Sequence, residues 1–142
     1  MSNLEGVNVN IAKIDKKSVL NSKKLIRRVL SATLDNPNNP DSLNFFHADT
    51  YRFYFLMSFM WESFESNEIS QEYAISLVPK KYASRIKRLQ VLKQAVRLGY
   101  IIEESSKVDK RRRMYFPSKT LLDDFIKYAN DSNKLINFNE IT

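Results

Sequence analysis

The sequence predicts a mainly α-helical fold that carries one small β-hairpin towards its carboxyl end. Three observations lead to this prediction. Apolar residues recur at helical steps of three and four as far as residue 98, the period becomes strand-like after Gly99, and capping or turn-forming residues separate the segments. With 142 residues, 43% of them hydrophobic, the chain has the size of one domain with its own core.

The first helix is predicted over residues 18–34, after an amino-terminal arm of residues 1–15 that shows no sustained period. Its basic side chains lie opposite an apolar face made of Val19, Ile26, Val29, Leu30 and Leu34. Residues 35–41 combine two prolines with Asn and Asp, which predicts a loop. We place a single domain at residues 16–129.

A second helix is predicted over residues 49–65, and it is apolar almost all round, with five aromatic residues between Tyr51 and Phe64 besides those two. A helix that is apolar on every side is expected to be buried. The sequence leaves open whether it only fills the core or also lines a subunit interface or a small-molecule pocket.

Two further helices follow in close succession. Ser70 is the expected N-cap of a short third helix that ends at Val78-Pro79, because the residue before proline is pushed out of the helical region. Ser84 is the expected N-cap of a fourth helix over residues 84–98, which Gly99 closes.

After Gly99, β-prone runs at residues 100–104 and 113–116 flank a basic stretch, and together they predict a hairpin with a basic tip. Ser118 or Thr120 then caps a last helix over residues 121–129. Residues 130–142 are predicted either to extend this helix or to contact the partner chain of a dimer, since they include Leu135, Ile136, Phe138 and Ile141.

The net charge of +7 is unevenly distributed. Residues 79–99 carry seven basic and no acidic side chains, and residues 107–119 carry six basic and one acidic, whereas residues 35–78 carry seven acidic and one basic. Concentrated basic charge is typical of a surface that binds a polyanion. Charge alone leaves an ordinary solvated basic face as the alternative.

Composition argues against an enzyme. The chain has no cysteine, one histidine (His47) and two glycines, which excludes thiolate metal sites and glycine-rich phosphate loops, so no metal and no cofactor is expected. The carboxylates at positions 62, 65, 68 and 72 lack an accompanying nucleophile or base. The polar start and the short apolar run at residues 53–61 predict neither export nor a membrane span, so we expect a cytoplasmic protein.

The order helix, turn, basic helix, strand, basic loop, strand, helix is that of a winged helix-turn-helix. Residues 69–129 resemble the winged-helix core of MarR-type transcription regulators. The resemblance lies in four segments: Ile69-Ser70-Gln71-Glu72, Leu98-Gly99-Tyr100-Ile101, Asp109-Lys110-Arg111 and Pro117-Ser118. Ala95 departs from the family's usual Leu, and the C-terminal helical region is short for the family's dimerisation arm. The Asn- and Lys-rich composition suits a phage-encoded relative.

The fourth helix would then be the recognition helix and residues 100–117 the wing. We predict that Ile86, Leu89, Leu92 and Val96 pack inward, which turns Lys87, Gln90, Val91 and Gln94 outward, with Arg85 at the start and Arg88 on the flank. Lys or Arg pairs with guanine, Gln with adenine, and an exposed Val91 would touch a thymine methyl group.

In the wing, the resemblance implies that Arg111 enters the minor groove and that Asp109 shapes the tip through a salt bridge. Strand alternation predicts Arg111 and Arg113 on one side and Lys110 and Arg112 on the other. Phosphate contacts should supply most of the affinity. The complete set of predicted DNA-binding residues is Lys80, Lys81, Ser84, Arg85, Lys87, Arg88, Gln90, Val91, Gln94, Lys107, Lys110, Arg111, Arg112 and Arg113.

The leading hypothesis is a homodimeric transcription regulator that binds specific sequences of double-stranded DNA. The alternative is a winged-helix module for replication or protein–protein interaction, in which the acidic residues 35–78 and the apolar tail present partner surfaces. MarR-type proteins often bind a small aromatic effector, and the sequence leaves open whether the second helix lines such a pocket.

Overall fold

A computed structural model describes residues 11–34 and 37–141 of the chain, with side chains except at positions 32 and 135–141. The chain divides into two compact units, Met1–Pro37 with Ala129–Thr142, and Asn38–Tyr128. Residues 1–10 of the predicted arm, residues 35–36 of the predicted loop and the apolar side chains of the tail lie outside this description.

The first unit contains helix α1, Lys16–Arg28, which continues as a π-helical segment, Val29–Leu34. The carboxylate of Asp15 accepts a hydrogen bond from the backbone N–H of Ser18 at 2.8 Å, so the helix starts two residues before the predicted position. Helix α1 buries none of its residues. Its apolar stripe and that of the π-helical segment are exposed at Leu20, Leu25, Ile26, Val29, Leu30 and Leu34.

The second unit contains the predicted winged helix-turn-helix, and the fold prediction is confirmed. Helix α2, which was not predicted, has only seven residues and follows the two-proline segment too closely for a period to show. The elements in order are α2 (Asp41–His47), α3 (Thr50–Phe64), α4 (Gln71–Ser76), a 3-10 turn (Lys80–Tyr82), α5 (Arg85–Arg97), β1 (Ile101–Ser105), β2 (Arg113–Pro117) and the start of α6 (Lys119–Ile141).

Local caps set the helix starts. The side chains of Asp49, Ser70, Ser84 and Ser118 accept hydrogen bonds from the backbone N–H three residues later, at 2.8, 3.2, 3.2 and 3.1 Å. Gly99, with φ of +83°, ends α5 in the left-handed conformation that glycine adopts without strain. Helix α6 continues past residue 129 to Ile141, which is the helix extension given as one alternative for residues 130–142, because no glycine or proline interrupts it.

Aromatic side chains of α3 form the centre of the core. The rings of Tyr51, Phe55 and Phe59 are fully buried and stack in sequence, with centroids 6.3 and 5.4 Å apart. They fill the core rather than line a pocket. The expectation that every side of this helix is buried was wrong, since Trp61 is 69% and Phe64 55% exposed. Helix α3 contacts α2 and β2, and its exposed residues are Thr50, Tyr54, Trp61 and Phe64.

The hairpin is antiparallel, with Glu103 opposite Tyr115 in the register. The segment just before α4 also pairs with strand β2 of this hairpin. Ser70 forms a β-bridge with Met114, and the backbone N–H of Tyr115 donates to the carbonyl of Ile69 at 2.9 Å. These bonds fix the wing to the start of the helix-turn-helix pair.

Candidate nucleic-acid interface

The face that helix α5 turns to the core is rotated from the predicted one: of the residues predicted to pack inward, Leu92 is buried and Val96 packs against the core, whereas Leu89 is half-buried. The buried residues of α5 are Arg88, Val91, Leu92 and Ala95, a stripe with steps of three and four. Val91, predicted to face outward, is 3% exposed, whereas Ile86, predicted to pack inward, is 71% exposed. Apolar residues occur on both sides of this helix, and the small Ala95 belongs to the side that is buried.

Arg88 is likewise wrong as a DNA contact, because it is 8% exposed. Its Nη1 donates to the backbone carbonyl of Ile75 at 2.7 Å. Ile75 lies in the last turn of α4, where carbonyl groups lack helical partners and the helix dipole favours a cation. Arg88 therefore locks α5 onto α4 through its guanidinium and packs its apolar stem in the core.

The solvent-facing side of α5 carries mostly polar and basic residues. A shallow depression along it is lined by Leu89, Gln90, Lys93, Gln94 and Arg97. Lys93 and Arg97 were missed by the sequence reasoning. They follow Gln90 at steps of three and four within the basic window, so the correct helix phase would have found them. With Ile86 and Lys87 they complete the exposed face.

Two cations at the start of α5 are held by carboxylates of neighbouring elements. Both Nη atoms of Arg85 donate to Glu72 of α4, at 2.9 and 2.6 Å. This pair lowers the pKa of Glu72 and raises that of Arg85. The Nζ of Lys87 lies 3.6 Å from Oδ2 of Asp49, the N-cap of α3. Both pairs are substantially exposed, so they orient the cations more than they stabilise the fold.

A polar network joins α5 to both strands of the wing. The Nζ of Lys93 donates to Oε2 of Glu103 at 2.8 Å and to the hydroxyl of Tyr115 at 3.3 Å. The Tyr115 hydroxyl donates to the same Glu103 oxygen at 2.8 Å. The hydrogen bond from Lys93 holds the pKa of Glu103 below its ordinary value and raises the pKa of Lys93. Lys93 is thereby fixed in position beside the wing.

The wing tip is a tight turn rather than an extension of the strands. The hydroxyl of Ser106 accepts hydrogen bonds from the N–H groups of Val108 and Asp109 at 3.2 and 3.3 Å. The carboxylate of Asp109 accepts from the N–H of Arg111 at 3.0 Å. Asp109 thus shapes the tip as predicted, but through an Asx-type backbone bond; the described residues give it no salt bridge.

Strand alternation does not apply to the tip cations, because residues 110–112 lie in this turn. Lys107, Lys110, Arg111 and Arg112 are all exposed. Arg113 is different, since its Nε lies 3.7 Å from Oε1 of Glu103 and its Nη1 donates to Ser105 at 3.1 Å. It is held along the hairpin.

The other predicted residues are placed as expected for a surface. Lys80 and Lys81 lie exposed in the 3-10 turn before α5, and Ser84 acts as the N-cap of the helix. Gln90 is exposed and Gln94 half-buried. Of the fourteen predicted DNA-binding residues, the structure therefore removes two, Arg88 and Val91, from the exposed surface.

Within residues 11–34 and 37–141, no cluster of three His, Asp or Glu side chains is arranged to bind a metal ion. The same part of the chain contains no helix long and apolar enough to cross a membrane.

Comparison with known proteins gives no matching family model and no matching curated protein. The solved structures that resemble the chain include two regulators. The transcriptional regulator PA4135 shares 17% identity over 88% of this chain and 81% of its own, with a TM-score of 0.48. A MarR-like transcription regulator from Bacillus cereus ATCC 10987 shares 14% identity over 98% and 83%, with a TM-score of 0.45. The winged-helix assignment rests on the element order, caps and strand pairing of this chain itself.

Proposed function

We propose that the chain is a homodimeric transcription regulator that binds specific sequences of double-stranded DNA, with α5 in the major groove and the wing in the minor groove. The observation that carries the proposal is the combination of a basic exposed face on the second helix of the helix-turn-helix with four exposed cations at the wing tip. The positions of both follow from the fold, and both match a polyanionic duplex in charge.

The first turns of a recognition helix make most base contacts, and an α-helix fits the major groove of B-DNA. Lys87 and Gln90 are exposed in this part of α5. Lys87 would pair with guanine and Gln90 with adenine. Arg97, two turns further on and exposed, is suited to the phosphates that flank the groove.

At the wing, Arg111 has an exposed side chain and its backbone is fixed by Asp109. A guanidinium suits a narrow A·T-rich minor groove, where the negative potential is enhanced. The remaining cations of the tip, with Lys80 and Lys81, would contact phosphates and make the affinity fall steeply with salt.

The homodimer is supported by α1. This amphipathic helix exposes Leu20, Leu25 and Ile26 of its apolar stripe, and such a stripe is normally covered by a partner. A two-fold dimer would place two recognition helices on successive half-sites.

Light scattering tests the oligomeric state. The wild-type protein should have the mass of a dimer at micromolar concentration, and Leu25→Asp should shift the mass towards that of the monomer. A wild-type monomer would remove this part of the proposal.

The primary test is fluorescence anisotropy with labelled duplex DNA at low and high salt. The wild-type protein should bind, and Lys87→Ala and Arg111→Ala should each weaken binding by about 1–3 kcal/mol. Lys119→Ala is the matched control, because it removes the same charge from an exposed position on α6. Absence of salt-dependent binding at low ionic strength would refute DNA binding.

Selection from random duplexes then tests specificity. A palindromic consensus is expected, since two-fold symmetry in the protein is mirrored in its site. Lys87→Ala should relax the preference at one base position per half-site. An equal loss on every sequence would make Lys87 a phosphate contact instead.

The second candidate, a protein-interaction module, is favoured by one observation. Trp61 and Phe64 are exposed on α3 beside the acidic residues Glu62, Glu65 and Glu68. An apolar patch rimmed by charge is typical of an interaction surface. Under this alternative, Trp61→Ala abolishes partner binding while duplex DNA binds weakly and without sequence preference.

A further inference from the structure

The starting observation is an isoleucine in solvent at the start of α5. Ile86 is the second residue of the helix and is 71% exposed. Of the residues near it on the solvent-facing side of α5, Lys87, Gln90 and Lys93 are polar or basic, and Leu89 is apolar but half-buried. A β-branched residue is also a weaker helix former than alanine. Neither the packing of the core nor the stability of the helix accounts for an isoleucine here.

The other side chains of the first turn already have partners. Arg85 is bound to Glu72, Lys87 lies beside Asp49, and Arg88 is buried against Ile75. Ile86 differs from them because it offers only an apolar surface. In a B-DNA major groove, the apolar group available to it is the C5 methyl group of thymine, which the other three bases lack.

We propose that Ile86 is a specificity-determining residue that contacts the C5 methyl group of a thymine in the major groove. The proposal rests on the DNA-binding function proposed above and names one feature of the target sequence. The sequence predicted this thymine contact for Val91, which is buried, whereas Ile86 is exposed on α5. Burial of one methyl group corresponds to about a fourfold change in affinity.

Deoxyuridine provides the test, since it differs from thymidine only by that methyl group. The probe is a duplex recovered by the wild-type protein from a random library, together with copies in which single thymines are replaced by deoxyuridine. The proteins are the wild type, Ile86→Ala and the control Ile126→Ala, which truncates another partly exposed isoleucine, on α6. Affinities are measured by anisotropy at one salt concentration.

The expected result is one or two positions per half-site at which deoxyuridine weakens wild-type binding about fourfold. Ile86→Ala should bind the thymine duplex more weakly by a similar factor and should show no further loss at those positions. Ile126→Ala should respond like the wild type. Because the comparison is a ratio between duplexes, a small general loss in affinity leaves it intact.

Two outcomes overturn the inference and differ in what they imply. If the wild type and Ile86→Ala lose affinity equally on every deoxyuridine duplex, or if the recovered sites contain no such thymine, Ile86 does not read the methyl group, although the DNA-binding function stands. If no duplex binds in a salt-dependent way, the DNA-binding function itself fails. The inference is supported if Ile86→Ala no longer distinguishes thymine from deoxyuridine while the wild type and Ile126→Ala still do.

Discussion

Substitution of Arg88 tests whether this residue stabilises the fold or contacts DNA, and Arg88→Met is the informative variant. Methionine keeps an unbranched apolar stem but removes the guanidinium that donates to the Ile75 carbonyl at 2.7 Å. The lost hydrogen bond from a charged donor is worth about 1.5–3 kcal/mol. Removal of the buried Nε, which has no hydrogen-bond partner among the described residues, returns about 1 kcal/mol. We expect a net loss of about 0.5–2 kcal/mol in the free energy of unfolding.

Arg88→Ala extends the series. It also removes the two stem methylenes beyond Cβ, each worth about 0.8 kcal/mol when buried, so the loss should reach about 3 kcal/mol. Denaturant unfolding followed by circular dichroism measures both variants, with an unchanged m-value as the check on two-state behaviour. The affinity of the folded Arg88→Met protein for duplex DNA should stay within about twofold of wild type.

Lys87, the residue before Arg88 in α5, should show the opposite behaviour when it is replaced by alanine. Its side chain is exposed and, among the residues that the structure describes, pairs only with Asp49, at 3.6 Å, so stability should barely change while DNA affinity falls. The reasoning would be refuted if Arg88→Met unfolded like the wild type and weakened DNA binding as much as Lys87→Ala. That pattern would return Arg88 to the interface.

Three further outcomes are expected. Burial raises the pKa of Tyr51 from 10.0 to about 12, so the neutral phenol stabilises the fold fully below pH 10 and this stabilisation is lost as pH rises towards 12. Between pH 10 and 12 the wild type should therefore lose about 3 kcal/mol in the free energy of unfolding through this group. Tyr51→Phe should not show that loss when unfolding is measured as a function of pH. Lys93 lowers the pKa of Glu103 from 4.5, so this pair stabilises the fold above pH 4.5 and less as pH falls through the lower value, and Glu103→Gln should flatten that acid limb of the stability curve. Glu72→Gln should release Arg85 and tighten duplex binding about two- to fivefold at low salt. Anisotropy should show that the gain in affinity disappears at high salt, because salt screens the charge of Arg85. Unchanged affinity at low salt would contradict this prediction.

Local signals explain why most helix starts were predictable. A cap acts through one side chain and the N–H three residues later, so Asp49, Ser70 and Ser84 could be assigned without knowledge of tertiary contacts. Gly99 is predictable for the same reason, because the residue after a helix commonly adopts a positive φ. The order of these elements was enough to predict the winged helix.

The phase of α5 depends on tertiary contacts, and the sequence could not determine it. Leu92 was correctly predicted to face the core, but Ile86 and Leu89 compete with Val91 and Ala95 for the neighbouring positions, and the larger side chains favoured the wrong side. The helix buries Val91 and the small residue Ala95 instead. At the wing tip, residues 110–112 were treated as strand although Asp109 favours a turn, and this error produced the wrong alternation.

The carboxylates that face α5 divide the proposed interface into two parts. Arg85, Lys87 and Lys93 each have an acidic partner, so a DNA phosphate would replace one anion with another and add little net attraction. Cations without a carboxylate partner among the described residues gain the full interaction with a phosphate. Salt dependence should therefore arise mainly from the latter group, while α5 contributes discrimination between bases. The cations of that group are Lys80, Lys81, Arg97, Lys107, Lys110, Arg111 and Arg112.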